Sequence, residues 1–274
     1  MEGLLEKVIA IAQNAGKLML TEKDVDIGLK DTKENYVTST DLKIQKLLRK
    51  ELLEVLPGSK FMGEEEDIPS AGDEKYSPED LVWVVDPIDG TANYAHGIPM
   101  SVVAIGLVQN GEPILGVVNQ PYLWETFYAE KGKGAYLNGK PIHVSDNTIE
   151  HSLLCTAWSC YNKKRAPLCF DVTNRLYETC EDIRRIGTAA YELCLLAKGA
   201  CDIYFEINLA PWDYTAAACI LHEAGGFTAS QYGELSYYGP CMTVAANSRT
   251  SLDQILGIIR EMVEKHPEAE ITFK

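Results

Sequence analysis

Apolar residues near the N-terminus recur every three or four positions, which predicts a long amphipathic helix. These residues are Leu4, Leu5, Val8, Ile9, Ala12, Ala15 and Met19. A second leucine stripe predicts a helix over residues 41–55, with Thr40 as its N-cap and Asp41 in its first turn. An acid in a first turn is favoured by the helix dipole, so this position alone implies no chemistry.

Continuous apolar runs in the middle of the chain predict buried strands. One run covers residues 81–85 and is predicted to end at Asp86. Two more runs, over 102–109 and 112–119, are joined by Asn110-Gly111, a dipeptide typical of a tight hairpin. A second hairpin is predicted at Asn138-Gly139. This part of the chain is therefore predicted to be helices packed on an antiparallel sheet.

Beyond about residue 150, strand-like and helix-like stretches alternate, which predicts an α/β layer architecture. Strands are expected at 151–158, 183–186 and 201–205 and near Phe227 and Val244, and helices at 165–180, 188–198, 211–224 and 251–265. Thr188 is the expected cap of the second of these helices. We predict two halves, 1–145 (N-terminal, α+β, with the metal-binding signature) and 146–274 (C-terminal, α/β, completing the active site), in one compact catalytic unit.

The charge balance changes which partners are expected. The 274 residues include 40 acidic and 25 basic ones, a net charge of −15. Nucleic acid binding depends on Lys and Arg neutralising phosphates, so an acidic chain without a basic stripe is predicted to bind no nucleic acid. No apolar run approaches the roughly 20 residues that span a membrane, and no signal peptide is visible. Cations are the more natural partners.

Eight cysteines lie in the second half of the chain, mostly within apolar stretches, and none forms a C-x-x-C pair. A zinc site and a disulfide framework are therefore both disfavoured. Buried free thiols in a reducing compartment are expected, which predicts a cytoplasmic protein.

The run from Asp86 to Thr91, Asp-Pro-Ile-Asp-Gly-Thr, carries the first chemical signal. It places two carboxylates three residues apart, directly after a buried strand. Carboxylates bind hard cations such as Mg²⁺. The N–H groups of Gly90 and Thr91, at the start of a helical turn, are suited to phosphate. The same pattern is also typical of an ordinary surface turn, so both interpretations stand on these residues alone.

Further acids or hydroxyls stand at predicted element ends, where functional sites are often built. They are Asp41, Glu64 with Glu65, Asp86 with Asp89 and Thr91, Glu206, and Asp213. Periodicity does not show whether these positions meet in space.

Several blocks of the sequence resemble the inositol monophosphatase family of the Mg²⁺-dependent, lithium-sensitive phosphatase superfamily. The blocks are Val37 to Asp41, Gly63-Glu64-Glu65, Trp83 to Tyr94, Trp212 to Ala217 and Glu223 to Gly226. Their order and spacing cover about residues 1–265. One departure is Gln45, where the family often has an acid, and we expect little consequence from it.

The resemblance implies a five-layered αβαβα fold, classed as α/β (α+β), and a homodimer. It implies two to three Mg²⁺ ions. Glu64, Asp86 and the Ile88 carbonyl would hold one ion, and Asp86, Asp89 and Asp213 a second. A third, weaker ion would lie near Glu64, whereas the neighbouring Glu65 is left out of the inner shell.

The resemblance also implies the chemistry. Asp41 would hydrogen-bond Thr91, and this pair, with Glu64, would orient and deprotonate the attacking water. The N–H groups of Gly90 and Thr91 would bind the phosphate. Two metal ions can hold the attacking and leaving oxygens of a phosphate monoester, whose unaided hydrolysis is extremely slow.

The implied substrate is a small phosphorylated polyol or sugar. Glu206, the backbone near Ala189 and the side chains of Asp89 and Asp213 would contact the hydroxyls of inositol, so inositol 1-phosphate is the first choice. Fructose 1,6-bisphosphate is the second choice. Relatives that act on 3′-phosphoadenosine 5′-phosphate, histidinol phosphate or NADP keep other small sugar and nucleotide phosphates open.

Basic residues near the site could decide between these substrates. Lys30, Lys33, Arg184 and Arg185 could contact a second phosphate or could simply pair with surface acids. A different class of function, a non-catalytic scaffold that docks a partner, would be marked by a broken ligand set. Every expected ligand position is filled here, which argues against the scaffold. The loop over residues 67–79 is expected to be mobile, because it mixes Pro, Ser, Gly and acids.

Overall fold

The computed structural model describes residues 3–22, 25–30, 35–65, 76–77, 79–158 and 162–273. Most of the predicted loop over 67–79 and Lys33 lie outside these ranges. The described α-helices are α1 (Leu4–Thr21), α2 (Ser39–Val55), α3 (Thr91–Ala95), α4 (Ala166–Tyr177), α5 (Ala189–Ala197), α6 (Pro211–Glu223) and α7 (Arg249–Lys265). The first helix and the last four lie where the hydrophobic pattern predicts them, within a few residues.

Fourteen strands lie in the described ranges. They are β1 (Ile27–Leu29), β2 (Tyr36–Thr38), β3 (Lys60–Gly63), β4 (Val82–Asp89), β5 (Val102–Gln109), β6 (Glu112–Gln120), β7 (Glu125–Glu130), β8 (Ala135–Leu137), β9 (Lys140–Ile142), β10 (Leu153–Thr156), β11 (Asp182–Arg184), β12 (Ile203–Leu209), β13 (Phe227–Ala229) and β14 (Cys241–Ala246). Both predicted hairpins are confirmed, because Asn110 and Asn138 have positive φ values of 54° and 50° between paired strands.

Two large sheets organise the molecule. Strands β3 to β9 form a seven-stranded sheet in chain order, in which only the β3–β4 pair is parallel. The second sheet has the order β11-β10-β12-β14-β13, with β10 parallel to both of its neighbours. Strands β1 and β2 form a separate antiparallel pair. All strands of the seven-stranded sheet precede residue 145, and all strands of the five-stranded sheet follow it. The division of the chain at 145/146 itself stays a prediction.

Alternating side chains of β4 show how the layers stack. Trp83 and Val85 pack in a core with α1 and α2, whereas Val82 and Val84 pack in a second core with α5 and α6. Successive strand residues point to opposite faces, so this sheet is covered by helices on both sides. A third core joins α4 and α7 to the outer face of the five-stranded sheet. The layers are therefore helix, sheet, helix, sheet, helix, and the predicted αβαβα fold is confirmed.

Glycines let α6 lie unusually close to the seven-stranded sheet. A Cβ added to Gly116 on β6 would lie 2.1 Å from the backbone oxygen of Ala216, and one added to Gly106 on β5 would lie 2.6 Å from Thr215 Cγ2. The small side chains of α6 and the glycines of β5 and β6 thus allow the helix backbone to contact the sheet. This close contact fixes the position of Asp213, which lies in the first turn of α6.

Three local expectations are corrected. The N-cap of α2 is Thr38 and not Thr40, because the Thr38 side chain accepts the Asp41 N–H while the Asp41 carboxylate accepts the Thr38 N–H. Strand β4 does not end at Asp86, because pairing with β5 resumes at Asp89 after a bulge. Thr188 occupies the predicted N-cap position of α5, but its side chain makes no capping hydrogen bond, since its hydroxyl donates to the Met100 carbonyl.

The seven cysteines in the described part of the chain are buried and free. None of the described helices combines the length and the apolar character needed to cross a membrane.

Candidate active site

The corner after β4 is the centre of the site. Asp86 and Asp89 are 2% and 7% exposed, and the bulge between them lets both carboxylates remain on a buried strand. The Ile88 N–H donates to Asp86 Oδ1 at 2.9 Å. Gly90 follows with φ 86°, and a Cβ there would lie 2.5 Å from Thr188 Oγ1. Glycine is therefore required both for the turn and for the approach of the segment before α5.

A cavity of about 150 Å³ opens at this corner. The predicted site residues that line it are Glu64, Asp86, Ile88, Asp89, Gly90, Thr91, Ala189, Glu206 and Asp213. They come from the ends of β3 and β4, from α3, from the start of α5, from β12 and from α6. Residues separated by up to 149 positions thus share one cavity, and Asp213 and Asp86 lie in it together. Asp41 is the one predicted site residue that does not line the cavity.

Asp41 reaches the site through Thr91. The Thr91 hydroxyl lies 3.2 Å from Asp41 Oδ1 and 2.9 Å from the Ile88 carbonyl oxygen, so its single proton can be donated to either. The other Asp41 oxygen accepts hydrogen bonds from the N–H and the hydroxyl of Thr38. Burial raises the pKa of Asp41 to about 6 despite these two bonds. The helix-capping role and the contact with Thr91 are therefore both present.

Two ligand candidates are fixed by backbone donors from the second half of the chain. The Ala190 N–H donates to Asp89 Oδ2 at 2.7 Å, and the Ala210 N–H donates to Asp213 Oδ2 at 2.8 Å. In both cases the hydrogen bond goes to Oδ2 of the carboxylate. The Asp89 contact also ties the first turn of α5 to the end of β4.

The acids of the site are buried close to one another, and this raises their pKa values. Burial, followed by the negative charges of Glu64 and Asp89, raises the pKa of Asp86 well above its usual range. Burial and the charge of Asp89 have the same effect on Asp213. Burial also raises the pKa of Asp89 to about 8, although the Ala190 N–H opposes the rise. Carboxylates arranged in this way repel one another unless protons or cations lie among them.

Lys30 provides a positive charge beside the acids after β3. Its ammonium nitrogen lies 2.7 Å from both Glu64 and Glu65. The backbone N–H of Glu65 donates to Gln45 Oε1 at 3.0 Å, so Gln45 positions the acidic turn. Of the two roles left open for Lys30, contact with a second phosphate or pairing with acids, the structure shows the pairing with acids.

The opposite wall is built around Glu206 on β12. The Tyr204 hydroxyl donates to Glu206 Oε2 at 2.8 Å. Burial raises the pKa of Glu206 to about 7, while the Tyr204 hydrogen bond and the charge of Arg185 act in the opposite direction. Ala189 lies at the start of α5 in the same wall. The residues predicted to contact the leaving group, Glu206, Ala189, Asp89 and Asp213, thus all line the same cavity.

Sequence reasoning missed several lining residues, among them Asn93 and Glu192, and left open the role of Arg185, which also lines the cavity. The Asn93 amide donates to the Met100 and Ile186 carbonyls at 2.8 and 2.9 Å, which fastens α3 to the segment before α5. Glu192 Oε1 accepts the Ile186 N–H at 2.7 Å from within α5. Asn93 lies in the Trp83 to Tyr94 block, so the resemblance to the family could have identified it. Glu192 could not be identified from the sequence, because it occupies a buried position in the mostly apolar helix α5.

The donor set has the chemistry that Mg²⁺ prefers. All candidate ligands are oxygens, from Glu64, Asp86, Asp89, Asp213 and the carbonyl of Ile88, and none is nitrogen or sulfur. Within the described ranges, no three acidic, His or Cys side chains are already grouped closely enough to ligate one ion. The residues therefore fit Mg²⁺ in chemical type, and they line one shared cavity.

Comparison with known proteins agrees with this geometry. A sequence model described as the inositol monophosphatase family matches residues 2–264. Inositol monophosphatase 1 of Bos taurus is 34% identical over 230 residues, which cover 81% of each chain. The fructose-1,6-bisphosphatase/inositol-1-monophosphatase of Aquifex aeolicus is 32% identical over 225 residues, covering 80% of this chain and 83% of the relative.

A bacterial relative and a solved structure extend the comparison. The Nus factor SuhB of Xylella fastidiosa is 31% identical over 261 residues, covering 91% of this chain and 92% of the relative. The structure of Thermotoga maritima IMPase has a TM-score of 0.82 and 29% identity, over 95% of this chain and 98% of that one. By its sequence, its fold and the match over nearly its whole length, this chain belongs to the inositol monophosphatase family, whose membership indicates a phosphatase.

Proposed function

We propose that this protein hydrolyses phosphate monoesters with bound Mg²⁺, and that inositol 1-phosphate is its principal substrate, giving inositol and phosphate. The observation that carries the proposal is the convergence of Glu64, Asp86, Asp89 and Asp213 on one cavity beside the Thr91–Asp41 pair. Four carboxylates around a shared space are suited to divalent cations and phosphate together. The match to the family supports the same reaction.

Glu64, Asp86 and the Ile88 carbonyl would hold one Mg²⁺, and Asp86, Asp89 and Asp213 a second. A third ion would bind more weakly near Glu64. Bound Mg²⁺ supplies two effects here, a lowered pKa of a bound water and neutralisation of charge on the phosphate and the leaving oxygen. This assignment is supported by the positions of Asp86, Asp89 and Asp213 in the lining of one cavity.

The protein's own groups would position the water and the phosphate. Thr91 donates its proton to Asp41, so the Thr91 oxygen can accept a hydrogen bond from the attacking water, and Glu64 accepts the other proton. The N–H groups of Gly90 and Thr91 bind a phosphate oxygen at the start of α3. A carboxylate with the raised pKa of Asp41 is well matched to accept a proton near neutral pH.

The leaving-group wall favours a polyol. The Glu206 carboxylate can accept hydrogen bonds from neighbouring hydroxyls, and the Ala189 backbone, Asp89 and Asp213 lie in the same cavity. Fructose 1,6-bisphosphate is the second candidate. Its support is the Aquifex aeolicus relative, whose name joins both activities, and the presence of Arg185 in the cavity wall.

A phosphate-release assay tests the proposal. Purified protein is incubated with inositol 1-phosphate, fructose 1,6-bisphosphate, 3′-phosphoadenosine 5′-phosphate, histidinol phosphate and NADP, with and without Mg²⁺ and Li⁺. We expect release from inositol 1-phosphate to be fastest, to require Mg²⁺ and to be inhibited by Li⁺. Release that is independent of Mg²⁺, or no release from any substrate, would contradict the proposal.

A non-catalytic scaffold is the competing class, and the filled set of ligand positions disfavours it. We further propose that the protein works in the cytoplasm, which the seven free, buried thiols support, since a reducing compartment keeps such groups unpaired. The homodimer implied by the family stays a prediction, which size-exclusion chromatography with light scattering tests directly.

A further inference from the structure

A cavity of about 190 Å³ lies between α1 and the seven-stranded sheet and shares no described lining residue with the acidic cavity. The residues that line it are Gln13, Lys17, Leu20, Asn119, Pro121, Trp124, Thr126 and Asn138. Among these described residues are one lysine, three amides and a hydroxyl but no acid, although the chain has a net charge of −15. A small anion is therefore not repelled here as it is among the carboxylates of the other cavity.

Trp124 gives this cavity an aromatic wall that is open to solvent. The residue lies in the turn between β6 and β7, is 74% exposed and has a φ of 57°. A bulky residue rarely adopts this left-handed conformation, which asparagine and glycine accept more readily. The Asn138 amide donates to the Trp124 carbonyl at 2.9 Å and fixes the turn against the neighbouring hairpin. The exposed indole thus offers a flat apolar face on which a ring can stack.

The buried side of the same cavity has hydrogen-bonding capacity that the protein does not use. The hydroxyl oxygen of Thr126 accepts N–H groups from Gln13 at 3.2 Å and from Asn119 at 3.0 Å. These bonds fill both lone pairs of the oxygen and leave the hydroxyl proton with no acceptor among the described residues. Asn119 is also buried, and its Oδ1 has no hydrogen-bond partner in the described part of the chain. Ligand hydroxyls both donate and accept, so they suit these two residues.

Lys17 adds a positive charge at the exposed rim. It lies one helical turn after Gln13, on the same face of α1, and both side chains are exposed. Within the described ranges its ammonium group forms no ion pair or hydrogen bond. An anionic substituent of a bound ring can therefore pair with Lys17 without displacing a described acid.

We propose that this cavity is a second, non-catalytic ligand site that binds a single sugar ring carrying one phosphate. The C–H face of the ring stacks on Trp124, its hydroxyls bond Thr126 and Asn119, and its phosphate pairs with Lys17. The cavity is smaller than the roughly 300 Å³ at which pockets for drug-sized ligands begin, which favours one ring over a larger molecule. A planar base would also stack on Trp124 but would leave the polar side of the cavity unpaired.

Calorimetry with glucose 6-phosphate as the probe tests the site, in the presence of EDTA so that no metal-dependent turnover of the probe occurs. Trp124→Asn suits the positive φ but removes the ring, and we expect it to raise Kd about tenfold. The matched control is Leu123→Ala, on the same turn, 48% exposed and absent from the described lining, and it keeps the wild-type Kd.

The lysine is tested by Lys17→Gln, with Lys7→Gln as its control on an exposed position of α1 outside the described lining. In wild type we expect glucose 6-phosphate to bind up to about fivefold more tightly than glucose, the size of an exposed ion pair. K17Q removes this difference, and K7Q keeps it.

Three results would overturn the proposed site. The first is that millimolar glucose 6-phosphate does not bind to wild type, and the second is that its Kd is the same in W124N as in L123A. The third is tighter binding of AMP or of inorganic phosphate than of the sugar phosphate. These measurements need no turnover, so the site is judged separately from the proposed phosphatase function.

Discussion

The two large sheets meet at the same cavity but bring different chemistry to it. The seven-stranded sheet contributes acids, with Glu64 directly after β3 and Asp86 and Asp89 at the end of β4. Strands β3 and β4 are parallel, so their carboxyl ends lie at one edge and the acids collect there. Their shared environment is negative and suits divalent cations.

The five-stranded sheet contributes a mixed wall. Strands β10, β11 and β12 are mutually parallel, so Ala157 after β10, Arg185 after β11 and Glu206 on β12 reach the same edge. This wall offers one cation and one hydrogen-bonding acid in place of a group of carboxylates. Under the proposed function, we infer that one sheet would provide the reaction common to phosphate monoesters and the other would select the leaving group. The predictions below would break or sharpen that division.

The largest effect is expected from Asp89→Asn, on the side of the cations. The change weakens a proposed ligand of one Mg²⁺ while keeping an oxygen that can accept the Ala190 N–H. We expect turnover of every phosphate monoester to fall about 10³-fold, since a metal supplies several kcal/mol of transition-state stabilisation. Thermal unfolding should show an intact fold, and Asp253→Asn on the exposed face of α7 is the matched control. Wild-type rates in D89N would refute the two-metal assignment.

A second prediction concerns the close packing of α6 against the seven-stranded sheet. In Gly116→Ala, the new Cβ would collide with the backbone oxygen of Ala216, and a helix backbone does not yield as a flexible side chain does. We expect the free energy of unfolding, measured in urea, to fall by about 3 kcal/mol.

The control for this prediction is Gly257→Ala in α7, where an added Cβ meets no heavy atom within 4 Å. An alanine in that exposed helix interior should raise the free energy of unfolding by about 0.5–1 kcal/mol. If G116A is as stable as G257A, the close approach of α6 does not hold Asp213 in place.

The third prediction tests whether the wall contributed by the five-stranded sheet selects the leaving group. Glu206→Gln removes the proposed charged acceptor of substrate hydroxyls, and KM for inositol 1-phosphate should rise about tenfold, the size expected for one hydrogen bond to a charged group. KM for a small monoester such as 4-nitrophenyl phosphate should change less, because it lacks those hydroxyls. Equal changes for the two substrates would remove Glu206 from recognition and with it the proposed division between the sheets.

The smallest effect is expected far from the site, at the outer helices of the five-stranded sheet. The two ring nitrogens of His266 lie 2.8 Å from Glu268 and Asp171, and these contacts raise its pKa above 6.5. A raised folded-state pKa contributes stability that is complete below the unfolded pKa and is lost as pH rises through the folded one. His266→Gln should therefore lower the urea midpoint more at about pH 5.5 than at about pH 8. A difference of the opposite sign would contradict the ion pairs.

Local structure was predictable because its causes are local. The amphipathic period of α1 and the Asn-Gly turns each depend on a few adjacent residues, and the structure agrees with them. The end of β4 was misplaced, because its continuation to Asp89 depends on pairing with β5, a strand that begins thirteen residues further on. The N-cap of α2 was predicted at Thr40 but lies at Thr38. Both threonines are near the start of the helix, and only the backbone conformation shows which of them is the cap.

The site residues also divide into those that local sequence predicted and those that it did not. Asp86, Asp89 and Thr91 were found from their spacing, since all three lie on one corner. The approach of Glu206 and Asp213 to that corner was supplied only by resemblance to a family, and Arg185 was left undecided between a phosphate and a surface acid. Its cation–π partner, Trp158, lies 27 positions away on another segment, so no pattern along the chain connects the two.

The sequence by itself determined the periods, the turns and the chemical type of each side chain, because these depend on neighbours along the chain and on the composition of single residues. The tertiary structure alone decided which acids share a cavity, which carboxylate oxygens accept backbone N–H groups and which arginine faces the site. Those outcomes depend on the order and direction of strands, which are set by long-range pairing and by the close packing of α6.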